Sequence, residues 1–451
     1  MGALCSQGTA DPDAAPSPPA SSSSSPPPAD EVLLAPFPLL DLPQEVILSI
    51  VDALDAWQKK RDLRAFRALL VEGKKSGRMP PVVQLSLDKP IPGDEDALSQ
   101  YEGEETALLE VIELLSQSTL QVLFVHQVIL HAPLWQRLLD AIAASSTLSA
   151  LRFNQVDYGW PAGVVIHSSR DRVIPTAPLP HIRTLQIMHS ASALELVENC
   201  TQLDSLLLWP NNRRLGPYME HIKTLLPNLR LLSLDSVREA AAFRVFAEEV
   251  LALPHRLSET GHTLPLEELF LEGPMTAADL PVLLAALPHL PSLQRLALYQ
   301  LRDPTPAFFH ELVGAVHGLR ALTIVTGDCE EAKVWPAPLE AYLPHLRRLP
   351  HLRFYASDRK ALLLEADEGT RSGARREAQK RAEFEAMRVL KGACKRLREA
   401  VAITRDVSGG SRGYFARFYT NAAGKQCISL QQRTAHDFLI GYERWVRVKE
   451  D

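Results

Sequence analysis

The first six residues combine residue types and spacing that could accept acyl chains. The chain begins Met-Gly-Ala-Leu-Cys-Ser, so Gly2 and Ser6 fit an N-myristoylation signal and Cys5 offers a thiol for a palmitoyl thioester. One acyl chain holds a protein only marginally at a membrane, whereas two chains anchor it. We expect membrane association only if Gly2 and Cys5 are acylated, and an unmodified N-terminus is the alternative.

Other residues that could do chemistry are scattered. The sequence contains no G-x-x-x-x-G-K-[ST] phosphate loop, no G-x-G-x-x-G motif and no H-E-x-x-H motif. His126 and His131 bracket a predicted strand but have no further ligand at metal spacing, and Gly424-Lys425 is followed by Gln426. We therefore predict a protein that is not an enzyme and that uses no cofactor and no metal.

Composition limits which classes of partner and which cellular compartment are expected. The 48 Lys and Arg against 54 Asp and Glu give a net charge of -6, so no overall attraction to nucleic acid is expected. The five cysteines are isolated and form no C-x-x-C pair, which is typical of a reducing compartment. We predict a cytoplasmic or nuclear location.

A six-residue template, apolar-x-x-Leu-x-apolar, recurs from residue 82 onward. Examples are Val82-Leu85-Leu87 and Leu120-Leu123-Val125, and successive copies begin 21 to 45 residues apart. Helix-like segments that often end in Leu-Pro separate the copies. One unit cannot bury its apolar strand face alone, so neighbouring units must stack. The template predicts an α/β solenoid with parallel strands on its concave side and helices on its convex side.

One column of the template is expected to face a partner. The residue between the last two apolar positions points away from the core, because side chains alternate along a strand. By hypothesis this column lines the concave surface and binds an unknown protein target, although the residues could instead merely pack against their neighbours. The column, here called the target row, comprises Phe124, Arg152, Gln186, Leu207, Ser233 and Phe270.

The segment before the repeats is helix-periodic from Leu40 to Leu54, with Asp41 as its cap and Pro43 in its first turn. This stretch resembles the F-box, a helical module that docks on a Skp-type adaptor of a cullin ubiquitin ligase. The alternative is a plain helical cap on the repeat stack. The residues that carry the resemblance, and which it implies bind the adaptor, are Leu42, Pro43, Glu45, Val46, Ile47, Ile50 and Leu54.

The repeats resemble leucine-rich repeats over roughly residues 80 to 405, with steps of 21 to 28 residues inside the family's range of about 20 to 29. The Asn slot of that family is filled only by Asn211, so the solenoid is expected to be irregular. An F-box followed by irregular leucine-rich repeats resembles a family abundant in fungi. The resemblance implies a substrate-recognition subunit of a cullin-type ligase; a non-enzymatic scaffold is the alternative.

Four regions follow from these patterns. They are a disordered Pro/Ser-rich tail over 1–36, an F-box-like helical module over 37–78, the solenoid over 79–405 and a C-terminal cap over 406–451. The solenoid's end carries a basic amphipathic helix over 371–399, in which Phe384, Met387 and Leu390 share one face. The cap is predicted to hold a hairpin and then a short helix near Asp437 to Trp445.

Overall fold

The computed structural model describes somewhat more than half of the chain. The described residues are 67–77, 84–88, 109–117, 120–126, 129–130, 132–154, 157–158, 177–188, 190–209, 215–235, 240–257, 263–275, 279–301, 304–326, 338–358, 373–405, 411–420 and 426–434. The predicted tail, most of the F-box-like module with its adaptor-binding residues, and the predicted helix near Asp437 to Trp445 lie outside them.

One sheet of thirteen strands runs through the described residues, and its strands follow the order of the sequence. The strands of this sheet from β1 to β13 pair in parallel. The hairpin that the sequence predicted is formed by β14 and β15, and it extends the same sheet by antiparallel pairing with β13. Two short strands, β3 and β5, pair separately. The strands are β1 Gln84–Asp88, β2 Val122–His126, β3 Ile129–Leu130, β4 Ala150–Asn154, β5 Asp157–Tyr158, β6 Thr184–Met188, β7 Ser205–Trp209, β8 Leu231–Asp235, β9 Glu268–Met275, β10 Arg295–Leu301, β11 Ala321–Thr326, β12 Phe354–Asp358, β13 Glu399–Arg405, β14 Ser411–Thr420 and β15 Gln426–Thr434.

Helices connect most successive strands, which gives the α/β repeat architecture that the template predicted. Helix α6 departs from the Leu-Pro endings seen in the sequence, because it continues through Pro254 to Leu257 although an interior proline disfavours a helix. The helices are α1 67–76, α2 109–116, α3 Ala132–Ala144, α4 Leu196–Asn199, α5 Gly216–Leu225, α6 Ala240–Leu257, α7 Leu280–Ala286, α8 Pro306–Ala315, α9 Leu339–Leu346 and α10 Gly373–Ala393.

The template leucines form one continuous core. Leu151 is the Cα partner of Leu123 on one side and of Leu185 on the other, and the same position stays in register as far as Ala400 on β13. From β2 onward the residues of this position are essentially inaccessible to solvent. The prediction that each unit buries its leucines against the next unit is confirmed. Within the described residues, no helix is both long and apolar enough to cross a membrane.

A backbone hydrogen-bond motif joins each unit to the next. The carbonyl oxygen of Gln121 accepts from the amides of Ser149 and Ala150, at 2.8 and 3.0 Å. Nine such pairs occur among the described residues, counting this one, and the last has Arg353 accepting from Arg398 and Glu399. The degenerate final template copy is thus held in the array by the same bonds as the regular copies.

Candidate functional site

The sheet has a second face, opposite the leucine core, and the target row lies on it. The register places Phe124 beside Arg152, Arg152 beside Gln186, and Gln186 beside Leu207. Ser233 and Phe270 continue the row on β8 and β9. The structure thus brings all six predicted residues into one line across adjacent strands, and their contact with a target stays a prediction.

Exposure divides the target row into two halves. Phe124, Arg152 and Gln186 are partly exposed, whereas Leu207, Ser233 and Phe270 are buried. The buried half packs against its neighbours, as the alternative interpretation of the row expected. A partner at this half of the row therefore meets the side chains that flank the row more than the row itself.

Two aromatic residues beside the row escaped sequence reasoning. Trp209 and Tyr299 each follow directly after the last apolar position of their template copies. Trp209 is only 9 % exposed, and its Nε1 donates a hydrogen bond of 2.8 Å to the Oγ of Ser233. Tyr299 is partly buried and is the Cα partner of Glu272. The sequence held a signal for both residues, because a side chain one position after the last apolar residue of the template also points to the second face.

A buried ion pair borders the same region. The guanidinium of Arg295 lies 3.2 Å from the Oε1 of Glu268, and both side chains are mostly buried. The Oε2 atom of Glu268 is also buried and accepts no hydrogen bond from the described residues. Burial raises the pKa of Glu268, an effect that the positive charge of Arg295 opposes. The second face therefore carries a carboxylate that is incompletely satisfied in the isolated chain.

A β-bulge shapes the strand end next to Tyr299. Gln300 has a φ of 59°, a left-handed conformation that non-glycine residues adopt rarely. The register of β10 shifts at this point against both β9 and β11. The Nε2 of Gln300 donates to the Oε1 of Glu272 at 3.4 Å. Bulges with strained backbone occur often beside binding sites, where they aim side chains.

Trp209, Glu272, Tyr299, Gln300 and Arg295 together define what we call the central patch. Its members come from three strands, β7, β9 and β10, and none is drawn from a long loop. Aromatic residues and Arg supply most of the binding energy at protein interfaces. The patch mixes aromatic rings, a carboxylate, an amide and a guanidinium, which suits recognition of a polypeptide surface.

A small cluster of buried apolar residues continues the second face beyond the patch. Val325, Ala356, Val401 and Ile403 are buried there, with Tyr299 and Phe354 packed against them. Asp358 closes its edge, because one carboxylate oxygen accepts from both the amide and the Oγ1 of Thr326, at 2.6 and 2.8 Å. The central patch is thus supported on one side by packed and hydrogen-bonded residues.

Residues 409–413 read Gly-Gly-Ser-Arg-Gly and match the letters of the G-x-S-x-G motif. In hydrolases that motif places the serine on a sharp turn between a strand and a helix. Here Ser411 begins β14 and is the Cα partner of Arg405 in an antiparallel pair. The motif therefore lacks the backbone context of a nucleophile elbow. Among the described residues, no three His, Cys, Asp or Glu side chains gather as metal ligands.

Of the predicted F-box-like module, the structure describes residues 67–77 at its C-terminal end. Leu70 of α1 is fully buried and belongs to the same core as the repeats. Arg67 forms an ion pair with Glu110 of α2, and the Nζ of Lys74 donates to Gln117 at 2.8 Å. The adaptor-binding residues from Leu42 to Leu54 and the acylation candidates Gly2 and Cys5 lie outside the described residues.

Comparisons with known proteins add little to this description. No protein-family model matches the sequence, and no curated protein matches it. A crystal structure of a Bacteroides fragilis protein is similar to this chain with a TM-score of 0.28 and 15% sequence identity. The similarity covers 65% of this chain and 76% of the other. At that score it carries no argument about function.

Proposed function

We propose that this protein is the substrate-recognition subunit of a cullin-type ubiquitin ligase. In this proposal the F-box-like helix docks on a Skp-type adaptor and the second face of the repeat sheet binds a protein target. Ubiquitin transfer belongs to partner enzymes. The observation that best supports the target half is the central patch, where residues of the types that dominate interfaces sit on strands β7, β9 and β10 of one sheet.

The geometry of the patch favours binding of a macromolecule. Trp209 is held by Ser233, and Tyr299 is held beside a fixed bulge, so little side-chain freedom is lost when a partner binds. A broad face on regular strands also matches the extended binding surfaces of repeat proteins.

The adaptor half rests on the resemblance of residues 40–54 to the F-box. The packing of α1 supports it indirectly. A receptor must hold its target at a fixed distance from the ligase, and α1 shares a continuous core with the repeats through Leu70. Any module that is rigidly joined to α1 is then also rigidly joined to the target-binding face.

The deciding experiment is recovery of the adaptor. The full-length chain is expressed with an affinity tag, and co-purified Skp-type adaptor and cullin are measured. We expect both to be recovered and both to be lost on combining Leu42→Ala, Pro43→Ala and Ile50→Asp. Glu72→Ala, on the exposed side of α1, is the matched control and is expected to retain them. Absence of the adaptor under every condition contradicts the ligase proposal.

A non-enzymatic scaffold is the second candidate, and the Gly2, Cys5 and Ser6 pattern is the observation that favours it. The same solenoid would then bind its partner at a membrane. Membrane fractionation of the wild type, compared with Gly2→Ala and with Cys5→Ser, tests the scaffold candidate. A membrane-bound wild type that both variants release, together with no recovered adaptor, favours the scaffold.

A further inference from the structure

A groove of about 750 Å³ lies at the C-terminal end of the sheet, between α10 and the β14–β15 hairpin. The residues that matter for its chemistry are Phe384, Arg388, Lys391, Phe418, Tyr419 and Cys427. Phe384 is 43 % exposed and Tyr419 is 49 % exposed, and they are the exposed large hydrophobic side chains among the described residues. The sequence predicted Phe384 to share the buried face of Met387 and Leu390, so its exposure requires an explanation.

The groove adjoins the last strand of the sheet. Among the described residues β15 is the outermost strand of the sheet, with β14 beside it. Natural proteins cover the outer edges of sheets, because exposed backbone donors and acceptors invite pairing with other chains. An apolar groove beside the outermost described strand therefore suits a further segment that packs on this end of the sheet.

We propose that residues 435–451 of the same chain occupy this groove. They continue directly from Thr434, the last residue of β15. Their sequence places Phe438, Tyr442 and Trp445 at the i, i+4 and i+7 spacing of one helical face. In the groove, that face would pack aromatic rings against the exposed rings of Phe384 and Tyr419.

The reach of the segment fits the groove. Cys427 lies seven residues before Thr434, or about 23 Å back along β15 at the rise of an antiparallel strand. A helix over the first 12 to 15 of the 17 remaining residues spans about 18 to 22 Å. A segment that turns after Thr434 and runs back along the strand therefore reaches the groove.

Charge also favours this occupant. Between residues 371 and 399 the chain carries ten Lys or Arg and four Glu. The first part of the segment, 435–443, carries Asp437 and Glu443 and no Lys or Arg. Lys391 in the groove wall provides complementary charge, and the carbonyl oxygens of Lys395 and Leu397 hold its Nζ near the wall. Arg388 also lines the groove, and its guanidinium already pairs with Glu385 on the same helix.

Photo-crosslinking in the intact chain tests the proposal directly. The probe p-benzoylphenylalanine replaces Tyr419, and after irradiation and trypsin digestion the adducts are located by mass spectrometry. We expect the adduct in the tryptic fragment 434–444, whereas the same probe at Gln136 on α3 is expected to give none there. Adducts to a second copy of the chain, or only to other segments, overturn the proposal.

Thiol labelling gives a second, kinetic test, with Cys427 as the reporter. Cys5→Ser and Cys329→Ser leave three thiols, and burial raises the pKa of Cys200 to about 12 and of Cys394 to about 11, so these two react slowly while the chain is folded. We expect Cys427 to react with Ellman's reagent at least about tenfold faster in a chain that ends at Thr434 than in the full-length chain. A tenfold difference in rate corresponds to about 1.4 kcal/mol for the binding of the segment in the groove.

The second variant and the controls keep this test decisive. Phe438→Asp with Trp445→Asp in the full-length chain is expected to reproduce the faster labelling, and a synthetic 435–451 peptide is expected to reverse it in the shortened chain. Fast reaction of Cys200 identifies a variant that has unfolded, in which case the crosslink decides. Equal Cys427 rates in the folded chains, or protection that disappears on hundredfold dilution, overturn the proposal.

Discussion

Removing the hydroxyl of Ser233 tests whether the central patch is held rigid by the bond to Trp209. Ser233→Ala leaves the indole N–H, in a side chain that is only 9 % exposed, without that acceptor. A buried donor that loses its partner costs about 1 to 3 kcal/mol, and because a little of Trp209 still meets solvent we expect about 1 to 2 kcal/mol. Amide hydrogen exchange of β7 and β8 is then expected to accelerate by about tenfold, since a factor of ten corresponds to about 1.4 kcal/mol.

Ser205→Ala is the matched control for this prediction. Ser205 begins β7, is half-buried on the same face, and forms no side-chain hydrogen bond with the described residues. Its removal is expected to change exchange by less than about twofold, in line with about 0.5 kcal/mol for a surface change. A double-mutant cycle with Trp209→Phe isolates the coupling between the two side chains. Equal effects of the two serine variants, or no coupling in the cycle, would refute the reasoning.

Three further predictions concern other parts of the structure. Tyr342→Phe removes the 3.0 Å hydrogen bond to the buried carbonyl of Pro304 and keeps the ring that packs on Phe309, so urea unfolding should show a loss of about 1 to 2 kcal/mol, with exposed Tyr419→Phe near zero as control. Leu232→Ala in the middle of the core should cost about 2 to 5 kcal/mol in the same assay, and a cost below that range speaks against a tightly packed stack. Burial raises the pKa of Glu268 above its ordinary 4.5, so the folded state holds this proton more tightly than the unfolded chain does, and stability is lost as pH rises through the folded pKa. Glu268→Gln should remove this loss of stability with rising pH. The urea midpoints of the wild type and the variant are measured from pH 4 to pH 7 at about half-unit steps, and midpoints that fall in parallel for both proteins contradict the prediction.

The leucine periodicity was sufficient to predict the architecture of the repeats. Leu123, Leu151 and Leu185 lie where the template placed them, because a strand that repeats one apolar pattern has only one face to bury. The hairpin after Arg405 was also predicted. Its pairing with β13, which makes it part of the same sheet, was not, since strand periodicity does not specify a partner strand.

The site was predicted less completely than the fold. The register aligns the target row on one face of the sheet, as alternation along a strand requires, and its role in binding a target stays a prediction. Trp209 and Tyr299 were missed because only one column of the template was considered, although both lie one residue beyond a template leucine. The bulge at Gln300 has no sequence signal, since glutamine has no preference for a left-handed backbone.

The short motif at residues 409–413 shows why letters alone are a weak signal for chemistry. Its letters fit a nucleophile elbow, yet Ser411 starts a strand that pairs with the strand before it. Five letters do not encode the strand, turn and helix that such a serine needs. Motifs of this length require their backbone context before they indicate chemistry.

The bifurcated backbone bonds between units have a consequence for how such a chain can change. The nine accepting carbonyls belong to residues as different as Gln121, Asp204, Arg230 and Arg353, so each joint is made without any particular side chain. Side chains at these joints can therefore differ between units without loss of the backbone hydrogen bonds. A unit can be lengthened, lost or duplicated while these backbone bonds form again between the new neighbours, and the surface on the second face can diverge while the backbone joints stay the same.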